Sequence, residues 1–284
     1  MNDRFGIGWR LELAAGILSN LDCIDFVEVI ADDYFDAPKA KRRALGTLAR
    51  QIPVALHGVT LGLASVAPIE NKRLERTARL IEEVQPEFWS EHLAFVRGGG
   101  IEIGHLAAPP RTQSTIDGAV QNLAAAKKIV GSAPLVENIA TLIDPPGSRL
   151  SEADWTANIL SMADCPLLLD LHNLYANAVN FDFDPCAYID SIPSERITAI
   201  HLAGGRWITA NSSSERRLLD DHLHDVPDSV YELLKYVGQK TFHPLTVILE
   251  RDGRYPPIDT LLNQLDLARD ALRHGRSKLR SEAA

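Results

Sequence analysis

Short apolar, β-branched runs recur along the chain and alternate with longer amphipathic stretches, the pattern of βα units around a parallel sheet. Eight such runs fall at 5–9, 26–30, 53–57, 88–92, 135–137, 167–170, 197–201 and 246–250. Helical periodicity fills the intervals at 11–21, 39–51, 72–84, 114–130, 151–163, 227–237 and 258–272. Ser151 with Asp154 three residues on resembles a capping box, and Pro185 and Pro227 suit helix starts. Eight units in 284 residues fit one (β/α)8 barrel, a TIM barrel, spanning 1–284 as a single domain.

The polar residues fall where those runs end. Val54-Ala55-Leu56 leads into His57, and Phe88-Trp89-Ser90 into Glu91-His92. Leu135-Val136 leads into Glu137-Asn138, and Leu167-Leu168-Leu169 into Asp170, with His172 and Asn173 just beyond. The run from Ile197 ends at His201, and Val247-Ile248-Leu249 ends at Glu250. In a parallel barrel all strand C-termini open on one face, where active sites form. Buried carboxylates gathered there need cations to offset their desolvation, and metal ions supply these most directly. Each residue alone has an ordinary alternative, since an Asp after a strand commonly caps a helix. The joint pattern favours ligation: of nine histidines, only His105, His243 and His274 lie away from the expected rim.

The segment Asp220-Asp221-His222-Leu223-His224 adds to the set, because an extended backbone aims Asp220 and His222 the same way. His57, His92, Glu137, Asp170, His201, Asp220, His222 and Glu250, with His172 or Asn173, exceed what one ion can use. Two ions bridged by a carboxylate fit better, and three are possible, with Glu137 and Asp170 as the natural bridges. Imidazole and carboxylate ligation without thiolate suits iron, manganese or zinc alike.

The formal net charge of −9 argues against a nucleic-acid binder and is compatible with a small-molecule or peptide substrate. Cys23, Cys165 and Cys186 lie far apart, which speaks against a disulfide framework and a thiolate zinc site and leaves buried thiols as the expectation. With no apolar run long enough for a membrane helix, and no basic-then-apolar start, the expected location is cytoplasmic. The longest irregular stretch, 203–219, is a lid candidate that includes Ser212-Ser213-Ser214.

Six ordered strings carry a family resemblance: Leu56-His57-Gly58-Val59, Ser90-Glu91-His92-Leu93, Val136-Glu137-Asn138, Leu169-Asp170-Leu171-His172-Asn173, Ile200-His201-Leu202-Ala203-Gly204 and Leu249-Glu250-Arg251-Asp252. Together with the Asp-x-His-x-His stretch from Asp220, they resemble the multinuclear non-heme iron-dependent oxidative enzymes (MNIOs), formerly a domain of unknown function. The methanobactin-forming and thiaglutamate-pathway enzymes belong to that family. The resemblance implies two or three irons of mixed Fe(II)/Fe(III) state, and dioxygen as co-substrate. It implies oxidative modification of a ribosomally made precursor peptide, often at cysteine, commonly with a small peptide-recognition partner protein in a heterodimer.

Carried onto this chain, the resemblance implies one iron on His57, His92 and Glu137. A second would share Glu137 and use Asp170, His201 and Glu250, and a third would use Asn173, Asp220 and His222. Many members have Asn where this chain has His172, so His172 and Asn173 both remain ligand candidates. Glu91 and Glu28 are candidates for proton handling or peptide positioning, and Arg206 and Trp207 for peptide contact. Competing expectations are a divalent-metal sugar isomerase or an endonuclease of the xylose-isomerase type, whose xylose-isomerase-like TIM barrel this chain is expected to share, and a non-catalytic metal or peptide carrier.

Overall fold

A computed structural model describes residues 2–209 and 216–282. Its strands are β1 (Arg4–Gly8), β2 (Phe26–Ile30), β3 (Val54–Gly58), β4 (Trp89–His92), β5 (Phe95–Gly98), β6 (Ile101–Ala107), β7 (Leu135–Glu137), β8 (Leu167–Asp170), β9 (Ile197–Leu202), β10 (Gly205–Thr209), β11 (Arg216–Asp220) and β12 (Thr246–Leu249). The helices are α1 (Ala14–Leu18), α2 (Asp32–Phe35), α3 (Lys39–Leu48), α4 (Asn71–Val84), α5 (Gln113–Val130), α6 (Glu152–Ala163), α7 (Leu171–Phe181), α8 (Pro185–Ser191), α9 (Asp228–Lys240) and α10 (Ile258–Glu282).

Eight of these strands close a parallel barrel in the order β1-β12-β9-β8-β7-β4-β3-β2. They are the eight apolar runs of the sequence, placed to within one residue at each end. Barrel strands are covered on both faces, which is why they read as continuous apolar runs instead of alternating ones. Leu167, Leu168 and Leu169 of β8 and Ile200 of β9 are fully buried.

Side chains at the element boundaries explain where the helices begin. Thr112 caps α5 through a reciprocal pair: Thr115 N–H donates to Thr112 Oγ1, and Thr112 N–H donates to Thr115 Oγ1 at 3.2 Å. Ser151 caps α6, accepting from Asp154 N–H at 3.0 Å. Pro185 opens α8 behind the cap Asp184, whereas Pro227 occupies the cap position of α9, one residue before the helix. α7 is absent from the sequence expectation because no loop precedes it: Asp170 ends β8 and also caps α7, taking Asn173 N–H at 2.6 Å.

Two antiparallel hairpins, β5–β6 and β10–β11, depart from the expected alternation. The second corrects the expectation of an irregular 203–219: Gly205 pairs with Asp220 and Trp207 with Leu218. Asn180 of α7 fixes β11 from the side, its Oδ1 accepting from Leu218 N–H at 2.8 Å and its Nδ2 donating to Leu218 O at 2.9 Å. Ser212-Ser213-Ser214 lie outside the described residues, and with them the centre of the lid candidate. Only Cys165 is fully buried; Cys23 is exposed and Cys186 half-buried, against the expectation of three buried thiols.

The chain divides into two compact units, 1–24 with 140–144 and 169–284, and 25–139 with 145–168. In the first, Arg276 of α10 donates to Asp3 Oδ1 at 2.9 Å and to His243 O at 2.6 Å, tying the last helix to the chain leading into β1 and β12. In the second, buried Asn122 of α5 holds the loop after β3, accepting from Ile69 N–H at 3.1 Å and donating to Leu63 O and Ser65 O.

Candidate metal centre

In the second unit the strand register builds a compact donor set. His57 pairs with Ser90 across β3 and β4, and His92 pairs with Glu137 across β4 and β7. Side chains alternate along a strand, so Ser90 and His92 share a face, and His57 and Glu137 join them there. The Nε2 atoms of His57 and His92 both lie 3.4 Å from Glu137 Oε2, and all three side chains are buried.

The far nitrogens of both rings are already engaged. His57 Nδ1 sits 2.8 Å from Ser90 Oγ, and His92 Nδ1 sits 3.1 Å from Gly58 O. A carbonyl only accepts, so His92 Nδ1 carries the proton, and a neutral ring then presents its Nε2 lone pair. Lone pairs aimed at a buried carboxylate repel it unless a proton or a cation lies between. Imidazoles oriented through their other nitrogen are also the usual companions of a bound metal. The three residues offer ligand atoms within 4.8 Å of one another, a fit for one cation.

The first unit gathers a second set. Asp170, His222 and Glu250 likewise offer ligand atoms within 4.8 Å of one another. Asp170 spends Oδ1 on capping α7, while Oδ2 lies 4.0 Å from both His201 Nδ1 and His222 Nε2. Glu250 Oε2 lies 3.2 Å from His201 Nδ1 and 3.2 Å from His222 Nδ1, and Oε1 lies 3.3 Å from Arg10 Nη2. Asp220 Oδ2 stands 2.9 Å from His222 Nε2, and Asp220 Oδ1 stands 2.6 Å from His172 Nδ1. The second and third ligand sets implied by the resemblance therefore meet at His222, which touches members of both.

Charges in this set depend on one another. Burial opposes ionisation of Asp220, but His222 and then His172 outweigh it and hold the carboxyl down at about 2. Burial likewise works against the Glu250 anion, yet His222 and His201 hold its carboxyl well below the usual range. Burial disfavours the His222 cation, while Asp220 and Glu250 lift that ring well above its ordinary value. The site is built for anionic oxygens facing cationic or metal-bound partners.

Asp220 ends β11, but His222 has a left-handed backbone, φ 53°, so the extended geometry assumed for the pair does not hold, although their side chains still meet. His172 turns toward Asp220, and its Nε2 is buried without a hydrogen-bond partner among the described residues. Asn173 is buried, and its backbone N–H caps onto Asp170. Glu28 is buried in the middle of β2, paired with Ala55 and so on the same face as the Ile30–His57 pair.

Glu91 accepts backbone N–H groups on both oxygens, from Leu61 at 3.1 Å and His92 at 2.9 Å. Asp32 secures the same loop, taking Val59 N–H at 2.8 Å and the Thr60 hydroxyl. Arg206 Nε pairs with Asp221 at 3.1 Å, and exposed Trp207 lies under the Arg216 guanidinium. Sequence reasoning missed Arg10, Asp32, Ser90 and Asp252 as supports of the site. Only Ser90 and Asp252 had a local signal, each two residues from an expected ligand.

The closed parallel barrel, in the order β1-β12-β9-β8-β7-β4-β3-β2, has the fold of xylose-isomerase-like TIM barrels. D-psicose 3-epimerase from Clostridium cellulolyticum H10 superposes with a TM-score of 0.60 at 12% identity, over 97% of this chain and 99% of that one. A xylose isomerase domain protein from Planctomyces limnophilus gives 0.56 at 13%, over 98% and 100%. At these identities the likeness is one of fold. Residues 4–273 match the family of RiPP precursor modification enzymes MbnB/TglH/ChrH, and the chain belongs to that family. Its relatives include a UPF0276 protein of Caulobacter vibrioides, 32% identical over 275 residues and 96% of each chain. Another is a UPF0276 protein of Rhizorhabdus wittichii, 34% identical over 249 residues, 87% of this chain and 86% of that one. Membership makes the protein an enzyme that modifies a ribosomally synthesised precursor peptide.

Proposed function

We propose that the chain is a multinuclear iron enzyme that uses dioxygen to oxidise a ribosomally made precursor peptide at cysteine. The observation that carries this is the pair of imidazoles, His57 and His92, converging through Nε2 on one buried carboxylate oxygen of Glu137. The second set, Asp170, His201, His222 and Glu250 with Asp220, supplies ligands for further ions; the donors suit iron, manganese or zinc alike, and the family resemblance selects iron in mixed Fe(II)/Fe(III) states. Two or three irons serve a single catalytic domain spanning the chain. A small partner protein delivers the peptide as one half of a heterodimer.

When bound, iron supplies dioxygen activation and a Lewis-acidic anchor for the substrate thiolate. The chain's own residues set the conditions for that chemistry. The Gly58 carbonyl fixes the tautomer of His92, and Ser90 holds the ring plane of His57. Asp170 holds the first turn of α7 with one oxygen and leaves the other for the ion. His172 orients Asp220, which makes Asp220 and His222 the ligands, with Asn173 beside them. Glu91 is bound to two backbone amides, so it acts by shaping the loop after β3 instead of carrying protons. Glu28, buried on the barrel's inner face, is the proton-handling candidate. Arg206 and Trp207 on β10 contact the peptide.

The likeness to sugar epimerases extends to fold, and family membership favours the peptide substrate. The test is elemental analysis and Mössbauer spectroscopy of anaerobically purified protein, followed by oxygen uptake with the cognate precursor. At least two irons per chain and peptide-dependent oxygen consumption are expected. Protein that binds only zinc, or modifies the peptide equally well without oxygen, would overturn the proposal.

A further inference from the structure

His222 is the ligand candidate with the most unusual backbone, and a single residue ties it down twice. Asp252 N–H donates to His222 O at 3.0 Å, and Asp252 Oδ2 lies 3.2 Å from His222 Nδ1. Arg10 completes the arrangement from the end of β1. Its Nε donates to Asp252 Oδ1 at 3.1 Å, a second bond from Nη2 reaches the same oxygen, and Nη2 lies 3.3 Å from Glu250 Oε1. The Arg10 side chain is 13% exposed and that of Asp252 41%, so the clamp sits at the outer edge of the donor set.

We infer that Arg10 and Asp252 are positioning residues that aim His222 Nε2 at its metal ion and keep Glu250 available to the neighbouring one; this rests on the metal-centre reading above. His222 Nδ1 faces two carboxylates at the same distance, Asp252 Oδ2 and Glu250 Oε2, each 3.2 Å away. With Asp252 accepting the Nδ1–H, Nε2 is the nitrogen presented to the ion, beside Asp220 Oδ2 and Asp170 Oδ2. Glu250 Oε2, which also lies 3.2 Å from His201 Nδ1, then does not have to accept that N–H. Arg10 holds the opposite oxygen, Oε1, and keeps Asp252 in place. A carboxylate that orients a metal-bound imidazole in this way typically contributes 10- to 100-fold in metal affinity. The backbone bond from Asp252 meanwhile holds His222 at φ 53°, a conformation that histidine adopts more readily than most residues but seldom without support.

The experiment loads wild type, Asp252→Ala, Asp252→Asn and Arg10→Gln anaerobically with ferrous iron and measures stoichiometry, affinity and Mössbauer spectra, with thermal melts as the fold control. In Asp252→Ala one iron is expected to bind about 10- to 100-fold more weakly, with the iron of the His57, His92 and Glu137 set unaffected. Asp252→Asn keeps an acceptor without the charge and is expected to fall between the two. Combining Asp252→Ala with His57→Ala should affect two different irons, weakening one and removing the other, whereas general destabilisation would weaken all sites together. Wild-type affinity at every site in Asp252→Ala would overturn the clamp while leaving the metal centre standing. A wild type that takes up no iron would overturn both. Should Asp252→Ala fail to fold, Asp252→Asn decides: unchanged affinity overturns the inference, and selective weakening of one iron supports it.

Discussion

His172 Nδ1 lies 2.6 Å from Asp220 Oδ1, within a ring that is completely buried. The contact joins the first turn of α7 to the last residue of β11, 48 positions apart. It gives His172 the part of an orienting partner for Asp220. Replacing it by Ala should leave the His57, His92 and Glu137 ion in place and weaken the ion at Asp220 and His222 by about 10- to 100-fold. Anaerobic metal titration checks this; equal affinities in variant and wild type would remove His172 from the site.

Gly205 is where the hairpin presses against that histidine. A Cβ there would stand 2.2 Å from Leu219 O and 2.6 Å from His172 Cε1, neither of which can yield without moving β11 or the ring. Gly205→Ala is therefore expected to cost about 1–3 kcal/mol, the range of overpacked interiors. Thermal unfolding reads the loss, and the same variant should weaken the Asp220 ion. An unchanged melting temperature would contradict the close approach.

His57→Ala and Glu137→Ala should each abolish peptide modification while the barrel stays folded. Glu137→Ala removes a buried anion along with its ligand oxygen, so its fold is not expected to suffer from an orphaned charge. Mass spectrometry of the precursor and far-UV circular dichroism separate the two effects. Full turnover in either variant would refute the assignment.

Asp32 provides a pH-dependent signature. Burial, followed by the nearby Glu91 carboxylate, raises its carboxyl above the usual 3.8. An acid raised on folding contributes stability that is complete below its ordinary value and lost as pH climbs through the raised one. Wild type should thus lose stability over that interval relative to Asp32→Asn, which cannot ionise. Urea unfolding of both proteins at a series of pH values checks this, and parallel curves would show that Asp32 does not titrate as described.

The eight barrel strands and the acids and imidazoles at their ends were legible in the sequence, because a strand covered on both faces leaves an unbroken apolar run and a polar residue at its mouth stands out against it. The Ser151 cap was legible for the same reason: its signal spans three residues. α7 escaped because Asp170 is strand end, helix cap and ligand candidate together, so no turn residues announce the change. The hairpin at β10 and β11 escaped because its second strand is fixed by Asn180, a side chain on another helix.

Which nitrogen of each ring faces its carboxylate was decided only in three dimensions. For His92 the decision falls to a carbonyl on β3, and for His222 to Asp252, itself held by Arg10 across 242 positions of chain. Local composition specifies what side chains a strand delivers to the rim, since burial and periodicity act within a few residues. The hydrogen bonds that aim those side chains join segments remote in sequence, and they exist only once the strands have paired.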